Sequence, residues 1–183
     1  MKDIKPSLII VPTLVGIVCT AVLAGINLLT QPAIREAGHK AEILAARLVL
    51  PEGFTEPAHT NFNGVDCFAS FDKDTGEILG LAIEGVTQKG YGGEIRLMAG
   101  FANGVVHNFK IIEARGETPG LGTKIKSDVF RLPLLNRKIG ADWRLKKDGG
   151  ELDAITSATI SSRAALAALR DAIEKHNAAV GKK

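Results

Sequence analysis

An α+β domain carried behind one N-terminal transmembrane helix is the architecture this sequence specifies, and three features specify it. Residues 6–34 contain no Asp, Glu, Lys or Arg. Residues 65–114 break into short runs rich in Val, Ile and Phe, separated by turn residues. The last 20 or so residues return to helical spacing, so strands come first and a packing helix follows. With 183 residues, 45% of them hydrophobic, the chain has material for one domain and an appendage.

The charge-free block opens the chain. Its core, residues 7–30, would be roughly 36 Å long as a helix, enough to cross a bilayer. A cleaved signal peptide has a shorter apolar region of about 7–15 residues, ending in small residues at a cleavage site. Here the block is longer, Ala21-Val22-Leu23-Ala24 matches that site poorly, and no Cys stands directly after it to accept a lipid. The segment therefore reads as an uncleaved signal anchor. Pro12 and Gly16 are compatible with this, since membrane helices tolerate both. Lys2 and Lys5 against Asp3 on one flank, and Arg35 followed at once by Glu36 on the other, place residues 1–6 in the cytoplasm. A single-pass topology follows, with everything after Arg35 extracytoplasmic. Cys67 would then have no disulfide partner, because Cys19 lies in the membrane segment, and it reads as a buried structural thiol.

Residues 31–50 place Ile34, Ala37, Ala41, Leu44 and Leu48 on one helical face, which predicts a stalk helix entering the domain. Pro51-Glu52-Gly53 ends it, and a polar loop to about Gly64 follows. The compact domain is expected over residues 51–183. Four antiparallel strands are predicted at residues 65–71, 78–86, 94–101 and 105–114, with Asp74-Thr75-Gly76 and Asn103-Gly104 supplying the positive backbone angles of tight hairpins. Ala165, Leu166, Leu169, Ala172 and Ile173 then mark an amphipathic helix over 163–177 that packs on the sheet.

Composition excludes several function classes. The net charge of +3, from 23 basic and 20 acidic residues, is scattered, and only 5% of residues are aromatic, so no nucleic-acid partner is expected. Two cysteines cannot build a disulfide framework or a four-ligand zinc site, and His39, His59, His107 and His176 lack ligand spacing, so no metal site is expected.

Three segments carry candidate chemistry. Asp153, Thr156, Ser157, Ala158, Thr159, Ser161 and Ser162 put five hydroxyls just before the C-terminal helix. They fit an N-cap with redundant hydroxyls, and they equally fit a phosphate group seated on a helix N-terminus. The second segment, Glu117, Thr118, Pro119, Gly120, Leu121, Gly122 and Lys124, fails the Walker template, since five residues separate Gly116 from Gly122 and Thr123 precedes Lys124. It fails the dinucleotide fingerprint too. What remains is either a plain structural loop or a Pro-Gly turn whose glycines let backbone approach something flat or anionic, with Glu117 and Lys124 as polar anchors. The third, around Tyr91 and Gly92, opens the third strand; it is a bulge, or a bare-backbone groove with Tyr91 as a stacking wall.

In this order and spacing, behind one membrane helix, the GYGGEI, ETPGLG and DAITSATISS segments resemble the G subunit of the Rnf electron-transport complex, an FMN-binding family. The C subunit of the sodium-pumping NADH:quinone reductase shares the motifs. The resemblance covers nearly the whole chain. It implies a component of an ion-translocating ferredoxin:NAD⁺ oxidoreductase of the cytoplasmic (inner) membrane that is not a complete enzyme alone. The implied cofactor is covalent FMN, its phosphate esterified to Thr159, the last residue of the family's D-x-x-[ST]-G-A-T motif, in which Asp153 is the first. Asp153, Thr156, Ser157, Ala158 and Ser161 would surround the attachment point, and the 117–124 loop with Tyr91 and Gly92 would border the isoalloxazine ring. The implied partners are the complex's A, B, C, D and E subunits, the bilayer, and a flavin transferase of the ApbE type that uses FAD and Mg²⁺. One departure stands out: Ser157 occupies the motif's Gly position, a small addition with which the site reads as intact. The opposing reading from another class is a flavin-free membrane-anchored assembly module, whose hydroxyls only cap the helix.

Overall fold

The computed structural model describes residues 7–51, 56–72 and 75–181. Residues 1–6, with the topology signals Lys2, Asp3 and Lys5, lie outside the described residues, as do Glu52-Gly53 of the expected helix stop and Asp74 of the first expected hairpin. The chain forms two compact units, one ending at Lys40 and one from Ala41 onward.

Helix α1, Ser7–Val49, runs 43 residues straight through Pro12 and Pro32. The expected division into separate membrane and stalk helices at Pro32 is therefore not a break in the helix. An interior proline removes one ladder hydrogen bond, and here the helix-forming residues on both sides carry the conformation past it. The Thr13, Thr20 and Thr30 hydroxyls donate to carbonyls one turn back at 2.7–2.9 Å, so the side chains of the apolar half keep their polar atoms satisfied internally. Its most apolar window has a mean hydropathy of 2.5, and none of it is buried. By length and composition it can cross a membrane.

The second unit is built on a six-stranded antiparallel meander: β1 Ala58–Phe62, β2 Val65–Phe71, β3 Ile78–Gly90, β4 Gly93–Ala102, β5 Val105–Glu113 and β6 Arg137–Lys138, hydrogen-bonded in that order. All four expected strands are present. The two additions are edge strands. β1 occupies what reads as a polar loop, because its Ala-His-Thr-Asn-Phe sequence is largely exposed and pairs only with β2. The signal for it is the Asn63-Gly64 turn, with φ of 52° and 83°, the same positive pair that Asn103 and Gly104 supply between β4 and β5 at 53° and 75°. β6 is too short to carry a pattern.

Side chains alternate across the sheet, and each face is covered by a helix. On one face Leu81, Ile83, Ile95, Leu97 and Phe101 pack with Ala164, Ala165, Ala168, Leu169 and Ala172 of α3, Thr159–Val180. On the other face Phe68, Ala82 and Met98 meet Ala45, Ala46, Val49 and Leu50 from the end of α1. The sequence pattern points to a different stripe: Leu44 and Leu48 are 55% and 49% exposed. Close approach decides the register here. A Cβ on Gly100 would overlap the Val49 carbonyl, so small Ala45 and Ala46 face the strands and the bulkier leucines cannot.

Polar contacts fix the same junction. Arg96 donates to Glu84 at 2.6 Å and to Glu42 at 3.1 Å, and Asn108 Nδ2 donates to the Leu48 carbonyl at 3.0 Å. Burial raises the pKa of the Glu84 carboxyl, with the Arg96 guanidinium opposing it. Cys67 is 2% exposed, and burial pushes its thiol pKa up, as expected of a structural cysteine.

On the α3 face a Cβ at Gly85 would overlap the Ala168 carbonyl, whereas Gly140 has open space. Gly85→Ala is expected to cost about 1–3 kcal/mol through overpacking, a fall of several degrees in the thermal midpoint, while Gly140→Ala stays near wild type. Equal midpoints for the two variants would contradict this helix–sheet contact.

Candidate functional site

The three chemistry-bearing segments converge on one side chain. Glu117, 5% exposed, accepts a hydrogen bond from the Tyr91 backbone N–H at 2.8 Å through Oε1 and one from the Ser161 hydroxyl at 2.5 Å through Oε2. It thereby joins the β3–β4 turn, its own loop and the first turn of α3. The glycines make room for this junction. A Cβ on Gly92 would overlap the Gly116 carbonyl, and one on Gly122 would overlap Glu117 Oε2. The bare backbone read as an approach for something flat or anionic thus serves, at Gly92, Gly116 and Gly122, the chain's own close contacts.

The GYGG segment does not open a strand. It is the turn between β3 and β4, with Gly93 at φ 113°, and it leaves Tyr91 67% exposed. Thr118, Pro119, Gly120 and Leu121 are exposed as well. Their loop is closed by Leu121 and Thr123 N–H groups donating to the Thr118 carbonyl at 3.2 and 3.3 Å, and by the Gly120 N–H donating to Thr123 Oγ1 at 3.0 Å. Gly120 takes φ 75°, where glycine carries no Cβ penalty. Gly122 to Lys126 then form a 3-10 turn whose exposed Lys124 makes no side-chain hydrogen bond among the described residues.

At the third segment α3 begins at Thr159 rather than near Arg163. Its cap position is Ala158, φ −131°, and no side chain caps the helix. The redundant hydroxyls therefore do not serve as caps. Ser162 is buried and folds the preceding loop, accepting from the Ile155 N–H at 3.0 Å and donating to the Ala158 carbonyl at 2.9 Å. Ser161 is committed to Glu117. Thr156 and Ser157 are exposed, and Thr159 is half-buried. Ser157 sits at φ 64°, in the left-handed region where a residue with a Cβ costs roughly 1–2 kcal/mol, which is the physical reason a Gly suits that position.

Asp153 is not gathered into the junction. Its carboxylate pairs with Lys146 at 2.8 Å on an exposed edge. Lys147, which no motif in the sequence marks, reaches the acceptor hydroxyl: Nζ donates to Thr159 Oγ1 at 3.3 Å. The 3-10 turn carrying it, Lys146–Asp148, is tied to α3 by Arg163, which donates to both Asp148 oxygens at 2.7 and 2.8 Å. That hydrogen-bonded fork holds the Asp148 carboxyl below the usual carboxylate range. The one available signal is the basic Lys146-Lys147 pair on a Gly-Gly turn just ahead of the hydroxyl cluster.

These features fit a phosphate-bearing flat cofactor. The first-turn N–H groups of α3 have no side-chain cap, a helix N-terminus favours an anion, a lysine stands at the half-buried hydroxyl, and Tyr91 and Leu121 offer exposed apolar surface on the loops that Glu117 joins.

Removing Glu117 tests the junction. Glu117→Ala leaves the Tyr91 N–H and the Ser161 hydroxyl without acceptors at a cost of about 1–3 kcal/mol each, and Glu117→Gln, which keeps an acceptor oxygen, is expected to lose less. Chemical denaturation of the full chain measures both, and wild-type stability for Glu117→Ala would contradict the role given to this carboxylate.

Comparison with known proteins agrees with this geometry. A family described as FMN-binding domain matches residues 90–174, from the β3–β4 turn through most of α3. The G subunit of the ion-translocating oxidoreductase complex of Haemophilus influenzae (strain PittEE) is 34% identical over 168 residues, spanning 82% of this chain and 79% of that protein. Its namesake from Pasteurella multocida (strain Pm70) is 32% identical over 186 residues, 90% of each chain. That of Shewanella baltica (strain OS223) is 29% identical over 184 residues, 87% of this chain and 84% of that protein. With identity at this level running from the long apolar helix through the whole Glu117 junction, the chain belongs to the family of G subunits of ion-translocating oxidoreductase complexes.

Proposed function

We propose that this chain is the FMN-carrying electron-transfer component of an ion-translocating ferredoxin:NAD⁺ oxidoreductase of the Rnf type, with the FMN phosphate esterified to Thr159. The observation that carries the attachment reading is the start of α3: a half-buried threonine hydroxyl at the first helical position, beside Lys147, ahead of N–H groups that no side chain caps. The opposing reading, a flavin-free module whose hydroxyls cap the helix, loses its support, because none of them does.

The flavin supplies the redox chemistry when bound; the chain holds and orients it. In this reading the α3 amides and Lys147 receive the phosphate, Leu121 and Tyr91 border the ring, and Glu117 fixes the two loops against the helix on which the phosphate is tethered. Ser157, in place of glycine, bears its strain in the backbone rather than by filling the space at Thr159. Maturation falls to a flavin transferase that uses FAD and Mg²⁺, and the working partners are the other subunits of the complex. The relatives carry the name of an ion-translocating complex, which favours this assignment over the related sodium-pumping quinone reductase.

The same proposal puts α1 in the cytoplasmic membrane as a single-pass anchor, residues 1–6 in the cytoplasm and the sheet domain outside it. A covalent tether suits that compartment, where dissociated flavin is not easily replaced. Alkaline phosphatase fused after Lys183 should then be active in cells. An inactive fusion, with a fluorescent cytoplasmic reporter active at the same site, would reverse the orientation.

For the attachment, protein made with its transferase should fluoresce under ultraviolet light on a denaturing gel and gain the mass of one FMN less water, on the peptide that contains Thr159. Thr159→Ala should lose both signals and still accumulate as folded protein, because Thr159 caps nothing and its hydroxyl accepts only from Lys147. Covalent flavin on the Thr159→Ala chain would sink the assignment.

A further inference from the structure

The basic side chains around the start of α3 divide by partner. Lys146 is paired with Asp153, and Arg163 is spent on both oxygens of Asp148. Lys147 has no carboxylate partner among the described residues; its ammonium donates to Thr159 Oγ1 at 3.3 Å. The turn that carries it is not free to wander. The Arg163–Asp148 fork ties the residue after Lys147 to α3, the Lys146 N–H donates to the Leu152 carbonyl at 2.7 Å, and the Gly150 N–H donates to the Leu145 carbonyl at 2.9 Å. A Cβ on Gly150 would overlap the Arg144 carbonyl, so the Gly-Gly pair is what lets the turn close this tightly.

We propose that Lys147 is a positioning residue for flavin attachment, an inference that rests on Thr159 being the acceptor. A lysine ammonium has donors and no acceptor. Its hydrogen bond therefore occupies a lone pair of Thr159 Oγ1 and leaves the hydroxyl hydrogen directed away from it, toward an incoming base. In the transfer step Oγ1 forms a bond to the FMN-side phosphorus of FAD as that phosphorus loses its bridging oxygen to AMP. AMP leaves with the electron pair, and the hydroxyl proton passes to a base of the transferase. One negative charge remains on the phosphodiester, beside the Lys147 ammonium and the positive end of α3. Thr156 and Ser157 are exposed hydroxyls without such a lysine, which gives a reason within this chain for one acceptor among several.

The test follows adduct mass against time with full-length protein, its transferase, FAD and Mg²⁺. Lys147→Met should lower the turnover number of the transferase by about tenfold or more, the scale set by losing one charge-assisted contact that orients a reacting group. Its KM for the protein substrate and the thermal midpoint should stay near wild type, and Lys147→Arg should recover most of the rate. Wild-type turnover for Lys147→Met, a change confined to KM, or a rate loss that tracks a lowered midpoint would each overturn the role of Lys147 while leaving Thr159 in place. A wild-type chain that takes up no flavin overturns the attachment reading itself and this inference with it.

Discussion

A buried carboxylate that no cation partners is expensive unless its oxygens are met by donors, and the site of this protein is organised around meeting that demand. Glu117 is satisfied only when the β3–β4 turn brings the Tyr91 N–H to one oxygen and the first turn of α3 brings Ser161 to the other. Neither donor can be replaced by water, since the group is closed in by Gly90, Gly92, Gly116 and Gly122 packed at backbone distance. The geometry of three loops that are far apart in sequence is thus set by one side chain. Polar requirements of this kind specify position more sharply than apolar contacts, which tolerate sliding.

The sheet provides the frame on which that junction is hung. Its two faces are covered by helices of different origin, α3 over Gly85 and the end of α1 over Gly100, and each contact is a glycine opposite a helix carbonyl. The last two turns of α1 therefore belong to the domain core, where Arg96 links Glu42 of the helix to Glu84 of the sheet. This packing also sets where α3 starts. Its alanine-rich face must lie along β3 and β4, and the alignment that seats Ala168 on Gly85 puts Ser161 over Glu117 and leaves Thr159 at the open end.

Much of this was legible from residue patterns. The alternating apolar runs and the Asn103-Gly104 turn gave all four central strands, because those strands are buried and their period is the cause of their burial. The edge strands were not legible, since Ala-His-Thr-Asn-Phe and Arg-Lys bury little and are held by backbone pairing alone. The stalk face came out wrong for a related reason: large side chains dominate a periodicity count, while the contact is made by Ala45 and Ala46 against glycine. At the site, residue type announced the hydroxyl cluster and the glycine loops, but not which hydroxyl did what. Ser161 and Ser162 look equivalent to Thr159 in sequence and differ in the structure only because Glu117 and the Ile155 loop claim them. Lys147 was invisible because a surface lysine carries no pattern until a fold brings it to a partner.

The most direct measurement of the central claim, one cradle held by Glu117 with its anchor at Thr159, is an experimental structure of the full chain after maturation with its transferase and FAD. The account predicts continuous density from Thr159 Oγ1 to a phosphate that lies within hydrogen-bonding reach of the α3 amides and Lys147, with Glu117 still bonded to Tyr91 and Ser161. Flavin joined to Thr156, Ser157 or another hydroxyl, or seated away from the Glu117 junction, would contradict it.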